Sequence, residues 1–526
     1  MRRLIPLAAI IALALAPAVA ADDFEASDTV AVSDEAATPI VGNTCDDYPG
    51  QEAAGFGSDV FLNSEVEPWV ATDPGEPDHL VGAWQQDRWN DGGARGLVTA
   101  YSDDGGATWS TPNTTTFSSL CTGGDETNGG DFERATDPWV TISPDGTVYL
   151  MSLSLNNPNT SADHAMLVMK SPDGGVTWDE PITLIREDLP AVLNDKNSMT
   201  ADPNDSDFVY AVWDRLEFPN AHARAAAVEN AFPFKGPVWF SRTTDGGETW
   251  EPAREIFKSK GSITQTIGNQ IVVLPDFDDG VFEGQVLDFF TYRTLKMGGN
   301  VFGFDNLALI RSGDEGATWT KNAIIVNKIF SAPEVDPDTG DPIRAAGIIA
   351  DVAVDPDNGM LYAVWEDSRF TGFSFNQVVF TQSDDGGFTW TTPIRINKTP
   401  ATGDLNSQAL LPQVHVLPDG TVGVTYFDFR GNSAATSELE TIYFLAHCHA
   451  AVADCTDYAD WSDSPINYPE FDLRQAPIAR GYFLGDYDGL TNTIQDSTDG
   501  FSAFFAMSNS ASDPATIYSS FVAPAP

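Results

Sequence analysis

Four carboxyl residues, Glu67, Asp137, Asp351 and Asp486, stand at the openings of short apolar runs rich in Val, Ile, Leu and aromatic residues. Hydrolysis of a glycosidic bond needs two carboxyl groups, one ionised and one protonated, so these four are the candidates for that chemistry. Taken singly, each is also a plain strand cap. Lys196, Asn197, Asn269, Gln270 and Gln413 occupy similar openings. A second signature recurs where other apolar runs end: Asp87-Arg88, Asp214-Arg215, Tyr292-Arg293, Asp367-Ser368-Arg369 and Asp428-Phe429-Arg430. Arg88, Arg215, Arg293, Arg369 and Arg430 could grip carboxylates or sugar hydroxyls bidentately. An Asp beside an Arg equally ties one loop to the next, and such surface pairs are common and cheap. The stretch 485-GDYDG-489 interrupts an apolar run with Asp486 and Tyr487 between glycines, which leave room for a ligand to approach the backbone. A turn with stacked glycines is the plainer reading. His164 and His222, in variable loops, are candidate bases for a polysaccharide lyase or simply solvated side chains. The segment 336-DPDTGDP-342 spaces its oxygens as a structural calcium loop would, without the distal Glu of an EF-hand. No other cofactor is expected.

These residues must be positioned by a repeat. The pattern Ser/Thr-x-Asp-x-Gly-x-Thr-Trp is written five times: SDDGGATW at 102–109, SPDGGVTW at 171–178, TTDGGETW at 243–250, SGDEGATW at 312–319 and SDDGGFTW at 383–390. Its tryptophans, Trp109, Trp178, Trp250, Trp319 and Trp390, recur about every 70 residues, a period that signals a repeat architecture. A decayed sixth copy is 454-DCTDYADW-461. Each period reads as four β-branched and aromatic runs punctuated by Asp-Gly or Asp-Pro turns. That is a four-stranded antiparallel meander. Repeated around a ring, such meanders make an all-β propeller. Seven innermost strands are predicted, near Glu67, Asp137, Lys196, Gly268, Ile349, Leu411 and Tyr482, with six blades as the alternative. The last meander lacks a fourth strand, and 59-DVFLN-63 is expected to supply it and close the ring.

The repeated motif is the Asp box, and the chain resembles the sialidase-like Asp-box (BNR repeat) β-propeller superfamily. In the box, the Asp accepts backbone N–H groups within the turn, the second Gly permits a positive φ and the Trp packs beneath the hairpin. That makes the box a structural clip joining strands three and four, and places any chemistry on the opposite face. The resemblance implies a glycan or polysaccharide ligand and a sialidase-like exo-glycosidase. Family sialidases use three arginines on the substrate carboxylate, a Tyr paired with a Glu as nucleophile and an Asp as acid/base. On this chain the resemblance points to Tyr487 as nucleophile, and to Arg215, Arg293, Arg369 or Arg430 for the grip. The family's Arg-Ile-Pro element near the start is absent from this sequence. A non-catalytic glycan- or protein-binding propeller and a polysaccharide lyase are the alternatives.

The 526 residues carry a formal charge of −50. Such a surface repels nucleic acids and anionic membranes at long range. Residues 1–20, with Arg2 and Arg3 before an apolar run and Ala18-Val19-Ala20 after it, read as a secretory signal. Residues 21–58 read as a partly disordered lead-in and 59–526 as the propeller. A secreted, monomeric protein follows, and export permits disulfides. Cys448 lies close to Cys455, leaving Cys45 to pair with Cys121; zinc on these cysteines with His447 and His449 fits no usual spacing.

Overall fold

The computed structural model describes residues 24–33, 59–120, 122–219, 235–260, 264–276, 282, 284–294, 304–345, 347–400, 403–467 and 469–525. The signal segment, Cys45, Cys121 and His222 lie outside them. Among the described residues the protein is all-β, and its only helices are single 3-10 turns. The strands fall into successive antiparallel meanders, as the alternating apolar pattern requires. The third is typical: Val192–Ala201, Phe208–Glu217, Val238–Thr244 and Arg254–Phe257 pair in order.

The other meanders open with Glu65–Thr72, Arg134–Ile142, Thr264–Val273, Asp351–Val354, Ala409–Val416 and Gly489–Gln495. These opening strands pack against one another in chain order, and Gly489–Gln495 packs back on Glu65–Thr72. Apolar clusters fill the spaces between successive sheets, for example Trp213, Met151 and Met166, or Trp365, Leu287 and Leu309. The arrangement is propeller-like.

The last sheet takes its fourth strand from Phe24–Ala26, with Phe24 opposite Pro524. This corrects the expectation that 59–63 would do so. Val60 instead bridges Trp89, and the Phe61 N–H donates to the Arg88 carbonyl (2.8 Å). The apolar residues of 59–63 are too few, and too close to the first meander, to reach the far edge.

Five opening strands carry the same irregularity. Their pairing slips between Val66 and Trp69, Thr136 and Trp139, Asp195 and Ser198, Ile267 and Gln270, and Leu410 and Gln413. At each slip one residue has positive φ: Glu67 (52°), Asp137 (54°), Lys196 (47°), Gly268 (65°) and Leu411 (57°). A bulge re-aims a side chain. Four of these five are not glycine, so the chain bears backbone strain at that position on strand after strand.

The five repeated Ser/Thr-x-Asp-x-Gly-x-Thr-Trp turns join third and fourth strands and share one geometry. In the second, the Asp173 carboxylate accepts the Thr177 N–H (2.8 Å), the Thr177 hydroxyl (2.7 Å) and the Ser171 hydroxyl (2.9 Å), while Ser171 Oγ accepts the Gly175 N–H (2.9 Å). The Thr177 hydroxyl is the leading cause that holds this carboxyl below its ordinary range. The decayed copy differs. Trp461 is fully buried and donates to the Cys455 carbonyl (3.0 Å), and a Cys448–Cys455 disulfide closes the turn.

Candidate functional site

The bulged openings converge on a funnel of roughly 530 Å³, counting its open mouth. Its wall includes Trp139, Lys196, Asn197, Asn269, Gln270, Asp351, Glu366, Gln413, Asp486 and Tyr487. Two groups of ionisable residues meet it.

The first is a charge cluster. The Lys196 ammonium lies 2.5 Å from Asp486, 3.6 Å from Asp137 and 3.7 Å from Glu67. The Arg344 guanidinium grips the same Asp486 carboxylate through Nε (2.9 Å) and Nη2. Burial alone would raise the Asp486 carboxyl, but Arg344 and Lys196 outweigh it and hold the group well below the carboxylate range. Glu67 is pushed up to about 7 by burial, with Lys196 opposing. Its carboxylate accepts from Gln85 and from the Asp486 N–H (3.2 Å). Burial pulls Arg88 down to about 10. Its Nε and Nη1 are buried without a hydrogen-bond partner, and its guanidinium lies 5.2 Å over the Phe483 ring.

The second group belongs to the fifth meander. Asp351 opens its first strand, and Glu366 sits near the end of its second, Leu361–Asp367. Asp351 accepts the Val414 N–H (2.6 Å) and the Gln270 side-chain amide (2.9 Å). Burial pushes it up to about 6 against those hydrogen bonds. Glu366 accepts the Leu411 N–H (2.9 Å) and the Asn376 amide (2.8 Å). The same Asn376 amide reaches Glu334 at 2.5 Å. Burial, and then the neighbouring Glu334, push Glu366 well above the carboxylate range; burial raises Glu334 too. Two carboxyls this close cannot both be ionised, so the pair retains a proton. The funnel therefore presents one carboxyl that ionises near 6 and one that stays protonated.

Asp351, Asp486 and Tyr487 line the funnel, and Glu67 and Asp137 lie behind Lys196 in its charge cluster. The stretch 485-GDYDG-489 is an irregular segment before the strand rather than part of it, because the strand opens only at Gly489. The backbone there wraps closely on Glu67, whose N–H donates to the Leu484 carbonyl (2.9 Å). Tyr487 donates its hydroxyl to the Pro138 carbonyl (3.1 Å), and its ring meets Trp69 and Trp139 edge-on. Burial, then Glu67 and Asp137, raise its phenol well above the ordinary value, the opposite of what a nucleophilic phenolate needs.

Of the arginines that end second strands, Arg88 lies beside the charge cluster without lining the funnel, and the other four do not reach it. Arg369 is held by Asp367 (2.9 Å through Nε) and Arg430 by Asp428 (2.6 Å) and Asp463 (2.8 Å). Arg293 pairs with Asp305 (3.0 Å) and Arg215 with Glu187 (2.7 Å). Arg293, Arg369 and Arg430 are ion-paired within their own meanders, and Arg215 is held by Glu187 of the preceding one. Asp214 instead ties one meander to the next, accepting the Gly268 N–H (3.1 Å). His164 is buried rather than solvated; its Nε2 accepts the Asn194 N–H (3.0 Å), which removes it as a candidate base. In 336–342 the Asp336 carboxylate is occupied by Arg474 (2.7 and 2.9 Å). Among the described residues no three His, Cys, Asp or Glu side chains group as metal ligands.

The sequence reading missed Glu366, Glu334 and Arg344. Glu366 had a signal. In 361-LYAVWED-367 the period-2 alternation sets Glu366 on the face opposite Trp365 and Asp367. Arg344 had none, since it arrives through a parallel pairing of Ile343–Arg344 with Tyr482–Phe483.

No protein-family model matches the chain, and no curated protein matches it. Among solved structures it is similar to an α-L-arabinanase of Penicillium chrysogenum complexed with arabinobiose, at 14% identity over 76% of this chain and 94% of that one, with a TM-score of 0.46. A protein of unknown function from Dyadobacter fermentans gives 15% identity over 89% and 98%, TM-score 0.42. An intramolecular trans-sialidase of Ruminococcus gnavus, in complex with oseltamivir carboxylate, gives 12% over 88% and 95%, TM-score 0.41.

Proposed function

We propose that the protein is a seven-bladed propeller, closed by its Phe24–Ala26 strand, that hydrolyses glycosidic bonds in its funnel. One observation carries the reading: Asp351 and Glu366, two carboxyls of unlike proton affinity, line the same cavity. Groups whose environments push their pKa values apart mark the acid and base of a site. Glu366, holding its proton with Glu334, protonates the leaving oxygen. Asp351, ionised at neutral pH and fixed by Gln270 and the Val414 N–H, acts on the opposite side, directly or through water. Trp139 and Tyr487 offer aromatic surface to a sugar ring. Asp486 is bound by two cations and is too weak a base for either role; it holds Lys196 and Arg344 in place. A sialidase's three-arginine grip is not assembled, because Arg215, Arg293, Arg369 and Arg430 are paired away from the funnel and Arg88 does not line it.

The protein is read as exported, from the signal-like start and the Cys448–Cys455 disulfide. Among the described residues no helix is long and apolar enough to cross a membrane. The test is sugar release from a panel of glycosides and polysaccharides. Turnover that disappears in Asp351→Asn is expected; no turnover on any member would remove the reading.

A further inference from the structure

We propose that the funnel takes an uncharged, hydroxyl-rich sugar, and that Asp486 sets this selectivity by filling, with the protein's own carboxylate, the cationic grip that a carboxylate-bearing sugar would need. The proposal rests on reading the funnel as a glycan site.

A ligand carboxylate is held by guanidinium or ammonium groups free to donate to it. Of the residues that line the funnel, only Lys196 is cationic, and three are acidic: Asp351, Glu366 and Asp486. Lys196 faces Asp486, Asp137 and Glu67, all within 3.7 Å. Arg344 gives two of its nitrogens to Asp486. Arg88 and Arg480 feel the same cluster but do not line the cavity. The grip is therefore built, and occupied from within. An incoming anion would find Lys196 and Arg344 already matched by Asp486 and would face the ionised Asp351 carboxylate, under a formal chain charge of −50.

What remains on the wall suits neutral hydroxyls. Asn197, Asn269, Gln270 and Gln413 set side-chain amides around it, each with an acceptor and a donor end. All four are anchored through their nitrogens: Asn197 to the Asp137 carbonyl (2.9 Å), Asn269 to Asp214, Gln270 to Asp351 (2.9 Å) and Gln413 to the Pro412 carbonyl (2.8 Å). Trp139 stacks on Trp69 with centroids 3.6 Å apart, which fixes a rigid apolar plane beside the amides. Polar amides beside an aromatic plane match the two kinds of surface on a neutral sugar ring.

The experiment measures binding and turnover separately on the full-length exported protein. Lactose, cellobiose, xylobiose and arabinobiose are compared with 3′-sialyllactose by titration and by saturation-transfer NMR. At least one neutral disaccharide is expected to bind, with 3′-sialyllactose no tighter than its lactose part. A tenfold preference for 3′-sialyllactose over lactose overturns the proposal, and so does binding of none of them. Binding of a neutral sugar without hydrolysis keeps this inference and removes the hydrolase reading. Hydrolysis of 3′-sialyllactose does the reverse. A second arm vacates the grip. Acetate is expected to raise the Tm of Asp486→Ala by about 2–4 °C and to leave the wild type unmoved; equal responses overturn the role given to Asp486. If Asp486→Ala fails to fold, the wild-type selectivity decides alone.

Discussion

At the scale of single residues, the proposed chemistry turns on where protons reside. Asp351 must be ionised to act, and burial raises it to about 6. Turnover is therefore expected to fall on the acid side with an apparent pKa near 6, while Glu366 keeps its proton through neutral pH. A pH–rate profile checks this, and a flat profile from pH 5 to 7 would contradict it. Tyr487 separates this account from one with a tyrosine nucleophile. Its hydroxyl is donated to the Pro138 carbonyl, so Tyr487→Phe is expected to lose one hydrogen bond, about 1 kcal/mol. Turnover should change less than about threefold; a nucleophile would lose orders of magnitude. Denaturant unfolding and steady-state kinetics on the one variant read both.

At the scale of elements, the boxes and the bulges divide the work. Each box is a clip of hydroxyl and backbone donors around one exposed or half-buried aspartate, with no bond to the charge cluster among those donors. Asp245→Ala removes the Thr249 N–H, Thr249 hydroxyl and Thr243 hydroxyl partners. The site is solvent-screened, so the expected loss is about 1 kcal/mol, with turnover unchanged. Trp461 is wholly buried in the decayed copy, and Trp461→Ala should cost about 3–5 kcal/mol by denaturant titration. The boxes and meanders were legible in the sequence because their causes are local: period-2 alternation, turn aspartates and glycines at fixed offsets. The bulges were not. Glu67, Asp137, Lys196 and Leu411 adopt positive φ without being glycine, so nothing in their type announces it. The openings themselves were read, which is why Asp351, Asp486 and Lys196 were in view. Glu366 was hidden by the Asp367–Arg369 pair beside it, and the closing strand by a separation of nearly the whole chain between Phe24 and Pro524. Long-range pairing leaves little trace in local pattern.

At the scale of the whole molecule, buried acids and surface charge push stability the same way. Burial raises Glu65 to about 8, Glu67 to about 7 and Asp351 to about 6. In each case the folded state binds the proton more tightly than the unfolded chain, so stability declines as pH rises from the ordinary carboxylate range, about 4, through those values. The box carboxylates Asp173 and Asp245 are depressed, chiefly by the hydroxyls of Thr177 and Thr249. Their contribution is present above the ordinary value and is lost as pH falls through the depressed one. The Tm is therefore expected to peak at about pH 4, and at neutral pH to rise with added salt, which screens the −50 charge. A Tm that climbs from pH 6 to 8 would contradict this. The central claim, that the funnel is a hydrolytic site run by Asp351 and Glu366, is tested most directly by kcat on a turned-over glycoside for Asp351→Asn and Glu366→Gln. A loss of roughly 10²–10⁴-fold in each, with sugar binding and Tm retained, is the predicted result; two folded variants with wild-type kcat would contradict it.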